Sequence, residues 1–536
     1  MKKVSKQTAG TIGLVTAILY IIGNVVGVGI FFKNNTVFNL NNTNAIGILV
    51  SWIVSIIIVM CMALSFAEIS TCKLKNKNAG IGGWVEQFCG KKFGRYAKIG
   101  FLYAFWPLQT FTVMFFSGEA IINCFIPLTK SSWSAISKYD LGYGTTAIVF
   151  GVGMALFIFF LFTNYFASKT MGKVGSIISL IKFLPILMVV VFGIWIGIQY
   201  NDFGAWKSIT EQSNVNNKIV PMGIITSIPA ILFSFEGYIS VGSISGDIKN
   251  PEKNLSLSVI LGVIIISILY LAITIGCITS GKGDVYAIFA GIKEKTKPEI
   301  YKSLTSLISI FILICLIGCV NGFTKGGISA FKASAEENII FKSRHLINKF
   351  HGNSMLAGTI YFVVGVLFWW AILIIPSAIL NIDAIADGSS TAMIVFLYVI
   401  YSITVVAGFI NRKTQKIHVN KITIFPVASF IGALGCIFMI VFVGFVQFIF
   451  APIMAGLNNL DGENSWQGIK AGWGMFVNAK NCLGLGKDGI YKLSNIETMI
   501  WFWSILFIIF MTPFVNELLI KSFDKTNNLP LFWQKQ

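Results

Sequence analysis

Charged residues are scarce in this chain. Of its 536 residues only 12% are Asp, Glu, Lys or Arg, whereas about 25% of the residues in a soluble globular protein carry a charge. By contrast, 55% of the residues are hydrophobic, 47 are phenylalanine, and the mean hydropathy is +0.77. This composition excludes a soluble globular protein and predicts an all-α polytopic membrane protein.

The residue patterns of most enzymes and metal proteins are also missing. Nine cysteines and three histidines occur, but the cysteines form no CxxC pair and have no ligand spacing. Cys315 and Cys319 share one helix face, yet they lack the histidine or carboxylate partners of a metal site. Neither a catalytic triad nor a phosphate-binding loop is found. We therefore predict no enzymatic activity, no cofactor and no metal, and we interpret the cysteines as packing residues.

Long apolar runs are abundant. A bilayer is crossed by about 20 apolar residues in a helix, and twelve runs approach or exceed that length. The predicted transmembrane helices are at about 11–32, 44–67, 99–127, 145–165, 173–199, 220–246, 255–280, 303–324, 355–376, 390–410, 422–451 and 497–520. The first run follows a basic start but lacks a small-residue cleavage site, so we interpret it as a retained helix and not as a signal peptide.

Lysine and arginine predict the orientation of these helices. With a cytoplasmic amino terminus, 25 of the 41 basic residues fall in inside segments and 14 in outside segments. This positive-inside bias places both termini in the cytoplasm and the protein in the cell membrane. The net charge of +19 is spread over short loops, so we predict a lipid bilayer and no nucleic acid as partner.

The first run is interrupted by glycine. Gly23, Gly27 and Gly29 lie within seven residues, and each costs about 1 kcal/mol relative to alanine in a helix interior. Span six has a similar interruption, since Pro229, Glu236 and Gly237 occur close together. Broken helices at corresponding positions in two halves of a transporter indicate a binding site near the middle of the bilayer. Tolerated kinks and close helix packing are the alternatives.

Several motifs resemble one family. The run 23–31 (GNVVGVGIF) resembles the first-helix signature of amino acid permeases in the amino acid-polyamine-organocation (APC) superfamily. Further similar stretches follow in the order found in that family: 66–70 (FAEIS) with 79–84 (AGIGGW), 233–238 (FSFEGY), 247–254 (DIKNPEKN) and, less closely, 327–336 (GISAFKASAE). Together they cover residues 11 to about 340.

This resemblance implies a LeuT-like 5+5 inverted repeat with two extra C-terminal helices, and with helices 1 and 6 discontinuous. The transporter core would be 1–410, with halves at about 11–199 and 220–410. Residues 411–536 would hold helices 11 and 12, joined by an extracellular loop at about 452–496 that departs from the short connection expected there. The sequence leaves open whether this loop is a lid, a partner surface or an ornament.

An amino acid needs donors for its carboxylate and acceptors for its ammonium, and a broken helix offers both. The half-helix that begins near Gly27 to Gly29 has unpaired N–H groups and a positive dipole end, while unwound carbonyls accept from the ammonium. The candidate substrate-binding residues are Gly23, Asn24, Gly27, Val28, Gly29, Phe233, Ser234, Glu236 and Gly237.

Two ionisable residues stand out at membrane depth. A carboxylate such as Glu236 is costly in the bilayer and normally faces the bundle interior. It could bind the substrate ammonium, favour cationic substrates, take a proton or form a structural hydrogen bond.

Lys182 lies roughly 15 Å into span five, where insertion costs about 2.5–3.5 kcal/mol. Some proton-coupled members of the resembling family carry a lysine beside the first-helix break, where sodium-coupled relatives bind sodium. The resemblance therefore makes Lys182 the candidate proton-coupling residue, with a snorkelling lysine as the alternative.

We accordingly predict a secondary active amino acid permease that works by alternating access, is proton-coupled and is independent of sodium. An exchanger or exporter of amino acids or polyamines is the main alternative, and a channel or sensor built on the same fold is a further one. The sequence leaves the transported amino acid, the choice among uniport, symport and exchange, and the oligomeric state open.

Overall fold

A computed structural model gives the structure of the chain. It describes residues 12–27, 29–74, 80–125, 144–200, 204–206, 219, 221–281, 283, 285, 288–292, 297–380, 384–450 and 495–523. Two features singled out from the sequence, Val28 and nearly all of the 452–496 loop, lie outside these residues. Within them the fold is almost entirely helical, as predicted.

The first half of the chain forms helices α1 to α8. Their bounds are α1 Leu14–Val25, α2 Asn34–Leu40, α3 Ala45–Ile69, α4 Gly80–Cys89, α5 Lys91–Gly100, α6 Trp106–Phe125, α7 Gly144–Ile181 and α8 Phe183–Tyr200. Short π-helical segments, Gly29–Lys33 and Phe101–Phe105, lead into α2 and α6.

The second half forms helices α9 to α16. Their bounds are α9 Pro221–Ser234, α10 Pro251–Ser280, α11 Pro298–Glu336, α12 Ser343–Lys349, α13 Ser354–Leu380, α14 Ala384–Thr414, α15 Phe425–Val441 and α16 Asn495–Phe523. A 3₁₀ segment, Tyr238–Asp247, follows α9, and a π-helical segment, Phe442–Phe450, follows α15.

Among the described residues, eleven segments are long and apolar enough to cross a membrane. One of them, Ile148–Tyr200, has 53 residues, more than twice the length that one crossing needs. We predicted two spans here with a loop at 166–172, but residues 166–172 are helical except at Ala167 (φ −129°, ψ 39°). These seven residues contain no proline to end the helix, and the chain bends at one residue instead of forming a loop.

The first broken helix ends at Val25. Val26, the next residue, has an extended backbone (ψ 107°), and helical structure resumes at Gly29. The carbonyls of the last turn of α1 consequently lack the N–H groups that a continuing helix would supply. They are available to side chains from neighbouring helices.

The second broken helix ends at Ser234 and not at its proline. Pro229 lies inside α9, and the chain leaves the helix five residues later through a turn over Phe235 to Gly237. Gly237 has φ +108°, a conformation that residues with a side chain rarely adopt. The glycine therefore sets the position of this break.

The two broken helices are also joined near one end of the bundle. The Ile12 N–H donates to the Asp247 carbonyl at 2.9 Å, and the Lys249 N–H donates to the Ile12 carbonyl at 2.9 Å. This short parallel bridge ties the residues before α1 to those after the 3₁₀ segment. The segments that carry the two breaks are thus connected through main-chain atoms.

An ion pair fastens the end of α3 to the end of α14. Arg412 donates to both carboxylate oxygens of Glu68, at 2.7 and 2.6 Å, and the Ile422 N–H donates to the same carboxylate at 2.7 Å. The Glu68 side chain is 2% exposed and that of Arg412 is 20% exposed. Arg412 is therefore the cation that compensates the buried charge of Glu68 in these contacts, since the Ile422 N–H is a neutral donor.

We predict that Arg412→Ala lowers the stability of the protein by about 3 kcal/mol, the lower end of the range for breaking a buried pair, because Arg412 is partly exposed. Lys73→Ala is the control, since Lys73 lies 4.0 Å from Glu252 and both side chains are mostly exposed; such pairs contribute about 0–1 kcal/mol. Melting of the purified proteins in detergent checks the difference. Equal melting temperatures for both variants would contradict the prediction.

Candidate functional site

The two helix breaks face each other in the centre of the bundle. A methyl group added at Gly29 would lie 2.3 Å from the Cα atom of Ser234. The Tyr270 hydroxyl on α10 lies 3.0 Å from the Val25 carbonyl oxygen and 2.9 Å from the Ser234 carbonyl oxygen. The single O–H of Tyr270 is thus shared between the last carbonyl of α1 and the last carbonyl of α9.

Asn24 extends this contact to the 3₁₀ segment. Its amide Nδ2 donates to the Ser240 hydroxyl at 2.9 Å, and it is buried. The Asn24 Cβ also lies 3.7 Å from the position that a methyl group at Gly237 would take. Two of the predicted site residues, one from each break, therefore lie side by side.

Lys182 lies beside the first break, between α7 and α8. Its side chain is buried, with 1% exposed, and its amine donates to the Gly23 and Val26 carbonyls at 2.6 Å each. A third acceptor, the Cys319 sulfur on α11, lies 3.0 Å away. Since an ammonium has three N–H donors, these atoms satisfy all of them, and the negative dipole end of α1 favours the charge.

The local sequence explains how Lys182 reaches this position. Pro185 follows three residues later and has no N–H to donate to the helix turn before it. The helical run is interrupted there, with Ile181 ending α7 and Phe183 beginning α8. The lysine therefore projects from a helix junction toward α1.

Three predicted site glycines permit close approach of other helices. Added methyl groups would lie 2.3 Å from Ser179 Oγ at Gly23, 2.5 Å from Cys319 Sγ at Gly27, and 2.3 Å from Ser234 Cα at Gly29. A side chain at any of these three positions would collide with the neighbouring helix unless that helix moved. These contacts favour the packing role that was the alternative for the glycines.

Glu236 and Tyr401 form a polar pair next to a cavity. The Tyr401 hydroxyl donates to Glu236 Oε1 at 2.9 Å, and the Glu236 side chain is buried, with 3% exposed. Within the described part of the chain, Glu236 Oε2 accepts no hydrogen bond. A buried carboxylate oxygen without a donor is costly, so the site can accept from a ligand.

The cavity has a volume of about 80 Å³ and is lined by both residues of this pair. Aromatic side chains of α6 and the segment before it form part of its wall, namely Phe101, Phe105 and Trp106. Lys98 and Glu337 also line it. Lys98 donates to Glu86 at 2.6 Å and to Glu337 at 3.3 Å.

Phe233 lies on a different side of the break. Its ring is 5.4 Å from the Lys33 amine, a distance at which a cation and an aromatic face attract each other. Both side chains are almost fully buried, and neither lines the cavity. The Ser234 side chain bonds back to the Ala230 carbonyl at 3.0 Å. Of the residues predicted around the second break, Glu236 is the one that borders the cavity.

A family model described as amino acid permease matches residues 12–459. The protein belongs to the amino acid permease family. The match includes both helix breaks, Lys182 and Glu236, and it confirms the family predicted from the motifs. The prediction of a polytopic, helical membrane protein is confirmed as well.

Several curated proteins resemble this permease. It is 24% identical over 434 residues to the serine/threonine exchanger SteT of Bacillus subtilis (strain 168), with 80% of this chain and 90% of the relative covered. It is 24% identical over 263 residues to the glutamate/serine transporter AimA of the same bacterium, with 48% and 45% covered. The b(0,+)-type amino acid transporter 1 of Oryctolagus cuniculus is 23% identical over 318 residues, with 59% and 61% covered.

Among solved structures, that of MhsT in complex with L-phenylalanine matches with a TM-score of 0.46 and 14% identity. The alignment covers 94% of this chain and 98% of MhsT.

Four permease residues in these contacts were not singled out for the site from the sequence: Lys33, Tyr270, Cys319 and Tyr401. Tyr270, Cys319 and Tyr401 lie in apolar helices and look like ordinary packing residues there. Their partners are 137 to 296 residues away for Cys319 and 165 residues away for Tyr401. Only Lys33 carried a signal, because a lysine at the edge of a span is a charge near the bilayer.

We predict that Gly29→Ala destabilises the permease by about 1–3 kcal/mol, because the added methyl group overpacks against the Ser234 backbone. Gly151→Ala is the matched control, since this exposed glycine of α7 has no atom within 4 Å of an added methyl group. Thermal melting in detergent and the amount of protein in the membrane report the effect. A stable Gly29→Ala protein that has lost transport would instead support direct contact with substrate.

Proposed function

We propose that this permease moves an amino acid across the cell membrane by alternating access, driven by protons and without sodium. The observation that carries the proposal is the pair of 2.6 Å hydrogen bonds from Lys182 to the Gly23 and Val26 carbonyls. These bonds also weigh against a snorkelling lysine, whose amine would lie at the membrane surface.

The carbonyls at the break explain why a proton could replace a metal ion. Carbonyl oxygens are hard ligands that bind a small cation, and in this protein the Lys182 amine occupies the place between them. In this proposal the protonated amine of Lys182 takes the place of a bound metal ion, and its positive charge disappears when the amine loses its proton. When the amine releases its proton, one N–H bond to the broken helix is lost and α1 is held less firmly.

The substrate would bind where Glu236 borders the cavity. Its Oε2 atom needs a donor, and the ammonium of an amino acid supplies one. Tyr401 holds the other oxygen and so fixes the orientation of the carboxylate. Main-chain groups around Gly23 to Gly29 and Ser234 to Gly237, together with Asn24 and Phe233, stay the proposed partners for the remaining substrate atoms.

The cavity supports alternating access. It extends from Glu236 to Lys98 and Glu337, which our predicted topology places at the cytoplasmic side. On the other side of the break, Lys33 and Phe233 are buried against each other, and we propose that this contact closes the path. This arrangement fits a carrier in a conformation that is open toward the cytoplasm.

Exchange is the second candidate, because one relative is named a serine/threonine exchanger. Uptake of labelled serine into proteoliposomes with and without internal serine distinguishes the two. Exchange requires the internal amino acid, whereas a proton-driven permease accumulates serine in its absence. Competition by unlabelled threonine, glutamate and lysine then identifies the substrate class, and absence of conductance across a planar bilayer argues against a channel.

We predict that the parent protein accumulates its amino acid in sodium-free buffer when a pH gradient is imposed, and that Lys182→Ala abolishes accumulation or removes its dependence on pH. Lys173→Ala is the control, because this lysine of α7 is exposed. Labelled uptake at a series of external pH values is the measurement. Strict sodium dependence of the parent, or normal pH-driven accumulation by Lys182→Ala, would contradict the proposal.

We predict that Glu236→Gln raises KM about tenfold or more, because a hydrogen bond to a charged group contributes about 1.5–3 kcal/mol. If the carboxylate binds a cationic side chain, uptake of cationic amino acids falls more than uptake of neutral ones. Glu252→Gln, at an exposed position, is the control. Unchanged kinetics for both substrate classes would leave Glu236 with a structural role.

A further inference from the structure

The third contact of the Lys182 amine is a thiol, that of Cys319. The proposed proton coupling through Lys182 does not by itself require a thiol at this position. Cys319 Sγ lies 3.0 Å from the Lys182 amine and 3.6 Å from both the Gly23 and the Val26 carbonyl oxygens. The sulfur is thus within hydrogen-bonding distance of all three atoms. Cys319 is itself buried, with 1% exposed.

A glycine opposite the sulfur makes this approach possible. A methyl group at Gly27 would lie 2.5 Å from Cys319 Sγ, and a methyl group at Gly318 would lie 3.4 Å from Lys182 Cε. The thiol therefore occupies a space that the sequence of α1 leaves open, next to the break and against the amine.

The three neighbours of the amine differ in what they can do. Both carbonyls only accept hydrogen bonds, whereas a thiol both donates and accepts. When Lys182 carries its proton, the sulfur accepts the third N–H. When the amine is neutral, it has two N–H groups and a lone pair, so one of the three acceptors loses its donor.

We infer that Cys319 is a positioning residue for proton coupling that stabilises both protonation states of Lys182. In the charged state its sulfur accepts from the ammonium. In the neutral state its S–H donates to the amine lone pair or to the carbonyl that the amine has released. The thiol keeps its proton throughout, and the proton that Lys182 loses passes to water. This inference rests on the proposed function of Lys182.

In the part of the chain that the structure describes, no other ionisable side chain near the Lys182 amine is hydrogen-bonded to it. Cys315 lies one turn earlier on α11 and is fully buried, but the amine is hydrogen-bonded to Cys319 and not to it. On α10, the Tyr270 hydroxyl is bonded to the Val25 and Ser234 carbonyls. On α1, the facing groups are main-chain carbonyls. Among the described residues, no acidic side chain forms an ion pair or a hydrogen bond with Lys182.

The experiment compares Cys319→Ala and Cys319→Ser, with Cys315→Ser as the matched control on the same helix. A hydrogen bond to the charged amine contributes more than one to the neutral amine, so Cys319→Ala, which removes both, should shift the midpoint of the pH dependence to lower pH by about one unit. A hydroxyl is the stronger acceptor, and its gain is again larger for the charged amine, so Cys319→Ser should shift the midpoint to higher pH. Cys315→Ser should keep the midpoint of the parent.

Two readouts are used. The first is uptake of labelled serine into proteoliposomes as a function of external pH, with internal pH held constant. The second is the melting temperature in detergent as a function of pH, in which the contribution of Lys182 is the part that disappears in Lys182→Ala. This readout requires no knowledge of the substrate.

Midpoints that shift in opposite directions in the two Cys319 variants support the inference. If both variants keep the midpoint of the parent protein, the inference is wrong, even where Lys182→Ala still abolishes pH-driven uptake. Equal shifts in the same direction also overturn it, because they indicate a general loss of packing. If Lys182→Ala leaves both pH profiles unchanged, the proposed coupling fails, whatever the Cys319 variants show.

Discussion

The hydrogen bonds from the buried Lys182 amine to the end of a broken helix are the interaction on which the centre of this permease depends. Lys182 can be buried because Gly23 and Val26 offer carbonyls that α1 no longer uses. The break in α1 is in turn stabilised because those carbonyls receive donors. The buried lysine and the helix break would each be destabilising alone in a membrane, because an unsatisfied backbone group or an unpaired charge costs several kcal/mol there.

The same constraint explains the glycines at and just after the end of α1, namely Gly23, Gly27 and Gly29. Lys182 reaches the carbonyls because the end of α7 packs closely against Gly23, and Cys319 reaches the amine because Gly27 has no side chain. Gly29 admits the backbone of the second broken helix. The glycine run therefore gives three different helices access to one short stretch of backbone.

Much of this arrangement could be predicted from the sequence, since its signals are local. Three glycines within one apolar run indicated the first break, Gly237 next to a carboxylate indicated the second, and the depth of Lys182 indicated a buried cation. The partners could not be predicted in this way. Tyr270, Cys319 and Tyr401 lie between 36 and 296 residues from their contacts along the chain, and nothing in their own helices distinguishes them from packing residues. The interruption near Ala167 was expected as a loop at 166–172, and the structure shows a bend at this one residue instead.

The bridge between Ile12 and Ile248 has a consequence for how the molecule can change shape. Main-chain hydrogen bonds on both sides of Ile12 tie the start of the first broken helix to the end of the second broken segment, and Tyr270 links the same two segments at their breaks. Two links at separate points oppose rotation of one segment about the other. We therefore expect the pair to tilt together, so that a change in the bonds from Lys182 to the first segment alters the cavity beside Glu236 on the second.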